Sequence, residues 1–252
     1  MQLTGNTIFI TGATSGIGRG LAEAFHTLGN QVIIAGRRKA LLEEVTAANP
    51  GMKAVELDIA DPANIQAVAA RLIAENPTLN VLINNAGIMP FDDASGPMDD
   101  AQAQSILTTN LLGPIRMTSA LIEHLKAQPR AVIVNNTSVL AYTPLANTAV
   151  YSASKAALHS YTLSQRFMLR DTTVTVQEIA PPWVNTDLIK KGDDPRAMPL
   201  DAFIEQTMAA LATDAEEAIV ESARPMRDNA GPNEHALVMG FNSYIAENPI
   251  PV

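Results

Sequence analysis

The stretch TGATSGIGRG, residues 11–20, carries glycine at positions 12, 16, 18 and 20 directly after a short apolar run that ends at Ile10. Such a turn between a strand and a helix has two readings. The N-terminus of a helix exposes free N–H groups and about half a positive charge, which seats a pyrophosphate, and glycine lets the backbone approach it. A tight turn that packs a helix closely on its strand asks for the same glycines. The spacing is G-x-x-x-G-x-G rather than the G-x-G-x-x-G of the dinucleotide fingerprint, so the decision passes to the rest of the chain.

Outward from this turn, short β-branched runs alternate with helical patterns. Residues 7–11 read as a strand, and 17–28 have helical spacing through Leu21, Ala24, Phe25 and Leu28, stopping at Gly29-Asn30. Strands follow at 32–35, 52–58, 81–83, 132–134 and 174–179. Between them the sequence predicts a helix at 41–48, a helix starting at Asp61-Pro62, and a long one from about 147 to 170. Nearly continuous apolar strands with helices between imply an α/β fold, a doubly wound parallel sheet covered on both faces. Beyond Thr186 the pattern weakens into a loop over 190–199, helices near 200–211 and 234–247, and a last strand at 219–222. Residues 1–252 are expected to form a single domain, with about 186–252 as a variable substrate-loop and C-terminal portion.

Composition narrows the partners. Hydrophobic residues make up 47% and charged residues 17% of 252, with a net charge of −9, which argues against a nucleic-acid or anionic membrane surface. There is no cysteine, so disulfides and thiolate metal sites are excluded. The histidines at 26, 124, 159 and 235 have no ligand spacing, and no metal is expected. The N-terminus carries no leader pattern and no apolar run is long enough to span a bilayer, so the expected location is the cytoplasm.

The second strand ends in IIAGRRK, residues 33–39. Folds that bind NAD usually place an acidic residue here for the ribose 2′-hydroxyl, whereas arginine pairs with a 2′-phosphate. In an acidic chain, Arg37, Arg38 and Lys39 in succession point to NADP(H) over NAD(H), with Arg37 the foremost candidate. A solvated start of the next helix accounts equally for Arg38 and Lys39.

With TGATSGIG at 11–18, LDIAD at 57–61, NNAG at 84–87, Asn110, Ser138 and YSASK at 151–155, the chain resembles the short-chain dehydrogenase/reductase family. PPWVNTDL at 181–188 and the C-terminus resemble its DltE-like branch. The resemblance implies a Rossmann-type oxidoreductase, commonly a homodimer or homotetramer, with a catalytic centre at Asn110, Ser138, Tyr151 and Lys155. It further implies a dinucleotide held by Gly12, Thr14, Ser15, Gly16, Ile17 and Gly18. Asp58 and Ile59 would flank the adenine, and Asn85, Ala86 and Gly87 would lie beside the cofactor. Lys155 would hold the nicotinamide ribose, Val184 and Thr186 would contact the carboxamide, and Tyr151 and Pro181 would also touch the cofactor. Asp58 equally suits a turn cap, and the 84–87 turn equally suits a tie between strands. Pro182 departs from the family, standing where glycine is usual; it fixes φ and removes an N–H.

The chemistry also reads from the residues. Tyr151 and Lys155 are four apart on a helix and share a face. Bringing a phenol from a pKa near 10 to neutrality requires roughly 4 kcal/mol, about what a lysine cation some 4 Å away supplies at an effective dielectric near 20. Such a pair makes Tyr151 a general acid for carbonyl reduction or a base for alcohol oxidation. Ser138 follows the fifth strand and can hydrogen-bond the substrate oxygen. Any one of these is common by accident: an amphipathic pair, a loop serine, an asparagine kink before Gly113-Pro114. All four in register are not.

Met89, Phe91, Leu140, Tyr142, Leu145, Trp183 and a residue within 188–200 are expected to face a hydrophobic aldehyde or ketone, although core or subunit contacts share that composition. Residues 188–200, with Gly192 and Pro195, suit a lid or a plain surface loop. The apolar face near 234–247 suits core or interface. The reading is an NADP(H)-dependent carbonyl reductase or alcohol dehydrogenase acting on a small molecule. The alternatives are a 3-oxoacyl thioester reductase or hydroxy-amino-acid dehydrogenase with the same centre, and an NADP-binding sensor or scaffold without turnover.

Overall fold

The computed structural model describes residues 1–189, 192, 194–228 and 231–250. In chain order the elements are β1 (Thr7–Thr11), α1 (Gly16–Thr27), β2 (Gln31–Gly36), α2 (Lys39–Ala48), β3 (Lys53–Glu56), α3 (Pro62–Glu75) and β4 (Leu79–Asn84). There follow α4 (Asp100–Leu107), a π turn (Thr108–Leu112), α5 (Gly113–Lys126), β5 (Ala131–Asn136), α6 (Ala149–Leu169) and β6 (Val174–Ile179). The C-terminal part holds α7 (Leu200–Leu211), β7 (Glu217–Ala218), α8 (Arg224–Asp228) and α9 (Glu234–Glu247). No described helix is long and apolar enough to cross a membrane.

The strands form one parallel seven-stranded sheet in the order β3-β2-β1-β4-β5-β6-β7. The apolar runs are continuous because both faces are covered. Ile8 and Ile10 of β1 turn to one side, where α1, α2 and α7 bring Leu21, Phe25, Val45, Phe203 and Leu211. Phe9 turns to the other, against Ile65 and Leu72 of α3 and Leu121 and Leu125 of α5. This is the alternation a strand imposes on successive side chains. The strand order reverses between β1 and β4, and the crevice outside the carboxyl ends of the strands at such a switch point is where doubly wound sheets bind ligands.

Most central elements extend one or two residues beyond the expected bounds, and three boundaries differ in kind. The third strand is limited to Lys53–Glu56, and α6 begins at Ala149 after a 3₁₀ turn at Ala146–Thr148. The last strand is Glu217–Ala218 rather than 219–222; residues 221–223 form a 3₁₀ turn leading into α8. As an edge strand, β7 meets β6 at only two positions, too few to impose a pattern on its side chains. Lys190, Lys191 and Asp193 of the expected 190–199 loop lie outside the described residues.

Candidate active site

The glycine turn is shaped first by packing. Gly12 has φ +67°, and a Cβ there would lie 2.6 Å from the Ala86 Cα; one on Gly18 would lie 2.3 Å from Asn85 Nδ2 and 2.5 Å from the Gly12 carbonyl oxygen. Asn85 donates through Nδ2 to the carbonyls of Thr11 and Gly12, both at 3.0 Å. The Thr11 hydroxyl accepts from the N–H groups of Asn85 (3.0 Å) and Ala86 (3.1 Å). The turn after β4 is thus tied to the turn after β1, and both border the cleft.

The start of α1 lacks the side-chain cap that α3 and α4 carry. Asp61 caps α3 through the Ala63 N–H, and Asp99 caps α4 through the Gln102 N–H. Ser15 makes no side-chain cap on α1, and the first turn holds no acid. The N–H groups of this first turn therefore lack a side-chain partner at the wall of the cleft, the arrangement that suits an anionic ligand. The Ser15 hydroxyl instead accepts from Arg38 Nη2 (2.9 Å), which also donates to the Thr14 hydroxyl (2.7 Å). Arg37 is exposed at the same mouth and forms no ion pair with a described residue. Asp58 lines the wall and also accepts from the Ala60 N–H at 2.9 Å, so its turn-capping reading holds as well.

Tyr151 and Lys155 lie on α6, both buried, with the lysine nitrogen 5.6 Å from the phenol ring centroid. Lys155 Nζ donates to the Asn136 carbonyl at 2.8 Å. Ser138, just past β5, hydrogen-bonds the Tyr151 phenol and accepts from the Leu140 N–H. Burial pushes the Tyr151 phenol up to about 12 against the lowering effect of Ser138. Burial also pulls the Lys155 ammonium down to about 8, against the pull of the Glu178 carboxylate. The expectation that the phenol is brought to neutrality is thus corrected: burial raises it instead. Asn110 sits in the π turn, a common irregularity at functional positions. Its amide clasps the Ile88 backbone in both directions at 2.9 Å and donates to Ser154. It stands behind the wall, with its Oδ1 3.4 Å and Lys155 Nζ 3.8 Å from where a Gly87 Cβ would be.

Every residue assigned from the sequence to the dinucleotide lines one cleft of about 640 Å³, within the range of small-molecule and cofactor sites. Of the expected substrate residues, Met89, Leu140, Leu145 and Trp183 line it, whereas Phe91 and Tyr142 do not. Phe91 packs behind Leu145. Tyr142 is buried away from the wall, its hydroxyl held between Glu178 and His159. From the expected segment 188–200, Leu188 and Ile189 line the cleft; the sequence reading missed Met226, Phe241, Ile245 and Ile250, which complete the apolar end. The α9 face is therefore neither plain core nor left bare; Phe241 and Ile245 look into the cleft. The tail behind α9 is clasped by Arg196, which stacks 5.1 Å over Trp183 and donates to the carbonyls of Asn248 and Pro249.

The profile of the short chain dehydrogenase family matches residues 6–197. The chain belongs to that family. Within it the chain sits in the DltE-like branch: the uncharacterized oxidoreductase DltE of Bacillus subtilis (strain 168) is 38% identical over 234 residues, 90% of this chain and 93% of that protein. A short-chain dehydrogenase from Burkholderia cenocepacia J2315, solved in complex with NADP, superposes with a TM-score of 0.82 at 27% identity, covering 100% of both chains. The 3-ketoacyl-(acyl-carrier-protein) reductase of Brucella melitensis, solved with NADH, gives 0.78 at 28% identity over 86% of this chain and 96% of that one. As a short-chain dehydrogenase this protein is an oxidoreductase, and its seven-stranded parallel sheet is the family architecture.

Proposed function

We propose that this oxidoreductase is an NADP(H)-dependent carbonyl reductase or alcohol dehydrogenase for a hydrophobic small molecule. The observation that carries the reading is one continuous cleft. It runs from the uncapped start of α1, with two arginines at its mouth, past Tyr151, Ser138 and Lys155 to an apolar end walled by α9. The α1 turn would hold the pyrophosphate, Arg37 and Arg38 the 2′-phosphate, Asp58 and Ile59 the adenine, and Asn85 to Gly87 the flank of the dinucleotide. Lys155 with Tyr151 would hold the second ribose, and Pro181, Val184 and Thr186 the carboxamide. NADP in the Burkholderia relative supports this choice.

The dinucleotide supplies the hydride for the carbonyl carbon; the remaining work falls to the chain. Tyr151 gives its proton to the carbonyl oxygen as negative charge develops there, and Ser138 hydrogen-bonds the same oxygen. The Lys155 ammonium stabilises the phenolate left behind, and Asn110 holds the Ile88 backbone at the cleft wall. In reverse, the phenolate takes the alcohol proton. A homo-oligomer in the cytoplasm completes the proposal: Leu163, Phe167 and Met168 leave an apolar stretch of α6 exposed in the single chain, and residues 1–252 act as one unit.

The test is the initial rate of NADPH and NADH oxidation against hydrophobic aldehydes and ketones, 3-oxoacyl thioesters and 3-oxo acids. Faster turnover of an aldehyde or ketone with NADPH is expected. Preference for a thioester would move the substrate to the acyl class, and cofactor binding without any turnover would leave a sensor. A narrower outcome concerns the tail. Arg196→Ala releases residues 248–250 and raises KM several-fold for a bulky apolar substrate, while KM for acetaldehyde, too small to reach Ile250, and the affinity for NADPH stay at the parent values. An equal rise for both substrates would place the effect on general folding instead.

A further inference from the structure

Of the described Asp, Glu, Lys and Arg side chains, only Lys155 and Glu178 are buried, at 3% and 0% exposure. A lone buried charge is costly, so each needs an opposite partner or dense hydrogen bonding. Lys155 has one carbonyl acceptor, Asn136. Glu178, on β6, accepts from the Thr137 hydroxyl at 2.6 Å, the Tyr142 hydroxyl at 3.3 Å and His159 Nδ1 at 2.9 Å. Tyr151, Lys155 and His159 follow one another at four-residue spacing, so they form a single stripe along α6. His159, which contacts Glu178, is one helical turn along α6 from Lys155, and Thr137, which donates to Glu178, directly follows Asn136, whose carbonyl accepts from Lys155.

We infer that Glu178 is the buried counter-charge of Lys155, a positioning residue that keeps the lysine in its ammonium form, with Thr137, Tyr142 and His159 holding the carboxylate in place. The inference rests on the proposed role of Lys155 in reduction. Charged and titratable groups reach this carboxylate from every element around it. Lys155 and His159 come from α6 and Tyr142 from the turn after β5. Glu217 comes from β7, beside Glu178 in the strand register, and Arg227 from α8. Arg227 takes both oxygens of Glu217, at 2.7 and 3.0 Å, and stacks 4.6 Å over Tyr142. Its guanidinium neutralises the second carboxylate, and Glu178 has no arginine among its described partners. His159, Glu178 and Glu217 also bring three ligand-type atoms within 4.8 Å, but Arg227 already supplies the cation there. The Glu178 carboxylate accordingly acts upward on Lys155, against the burial that brings the lysine to about 8.

The experiment is the pH profile of kcat/KM for NADPH-dependent reduction in the parent protein, Glu178→Gln and Glu178→Asp. Deprotonation of Lys155 sets the alkaline limb near pH 8. Neutral glutamine moves that limb down by about one pH unit, and aspartate, which retains the charge one methylene further back, moves it by less. An unmoved limb in a folded Gln variant with normal NADPH binding overturns the inference. If the Gln variant does not fold, the Asp variant decides by the same criterion. A second readout needs no turnover. A lysine whose folded pKa lies below its unfolded value makes stability rise with pH between the two, because the unfolded chain binds the extra proton. For Lys155 that window opens near 8 and closes at the ordinary 10.5. In Glu178→Gln it opens lower, so denaturant-derived stability begins to climb by about pH 7. Where the parent turns nothing over, the proposed function fails and this slope alone judges the counter-charge; parallel slopes overturn it.

Discussion

Tyr151→Phe lowers kcat for carbonyl reduction by about 10³-fold or more and leaves NADPH affinity close to the parent value. The exchange is as small as a substitution can be. The ring keeps its packing against Met89 and Ile106, and only the phenol oxygen goes. With it goes the one acid positioned by Ser138 at the cleft wall. The pH dependence of the parent follows from the same pair. The phenol, raised to about 12, carries its proton throughout the accessible range, while Lys155, brought to about 8, loses its charge in the middle of it. Reduction therefore falls above about pH 8 because the phenolate loses its stabilising cation, not because the acid is spent. Single-turnover rates with NADPH and the best aldehyde, read beside fluorescence titration of NADPH, check both parts. Retained turnover in Tyr151→Phe would mean that the proton comes from another group, and the role given to Ser138 would fall with it.

The parts of this site that were legible in the sequence are those set by local spacing. Tyr151 and Lys155 share a face because a helix repeats every 3.6 residues, and the glycines border the cleft because they join β1 to α1. The central strands were legible because burial on both faces leaves no polar alternation to confuse them. What stayed hidden depends on groups far apart in the chain. Tyr142 follows Ser138 closely, yet Glu178 and His159 draw it away from the cleft, and neither is visible from a window around residue 142. The apolar stripe of α9 has the composition of core and interface alike, and only the fold brings Phe241 and Ile245 to the cleft wall. The π turn around Asn110 follows from the clasp with Ile88, twenty-two residues away. Chain position put Arg37 ahead of Arg38, but the hydroxyls of Thr14 and Ser15, across the mouth and out of reach of a local window, separate their roles.

That separation gives the second large effect. The double variant Arg37→Ala/Arg38→Ala raises KM for NADPH by roughly 30- to 150-fold and leaves KM for NADH nearly unchanged. A hydrogen bond to a charged group contributes about 1.5–3 kcal/mol, and exposure at the mouth puts each arginine toward or below the lower end of that range. Two of them amount to about 2–3 kcal/mol, which is the stated factor. NADH carries a hydroxyl where NADPH carries the phosphate, so it forgoes that attraction and has little to lose. The single variants divide the effect unequally. Arg38 is already fixed against Thr14 and Ser15 at 2.7 and 2.9 Å, so it loses little freedom on meeting an anion. Arg37 must be ordered first, which subtracts from what it contributes. Arg38→Ala is therefore expected to exceed Arg37→Ala, the reverse of the ranking that chain position alone gives. Equal losses for NADPH and NADH would place the arginines on the shared pyrophosphate rather than on the 2′-phosphate, and the preference for NADP(H) would then need another source.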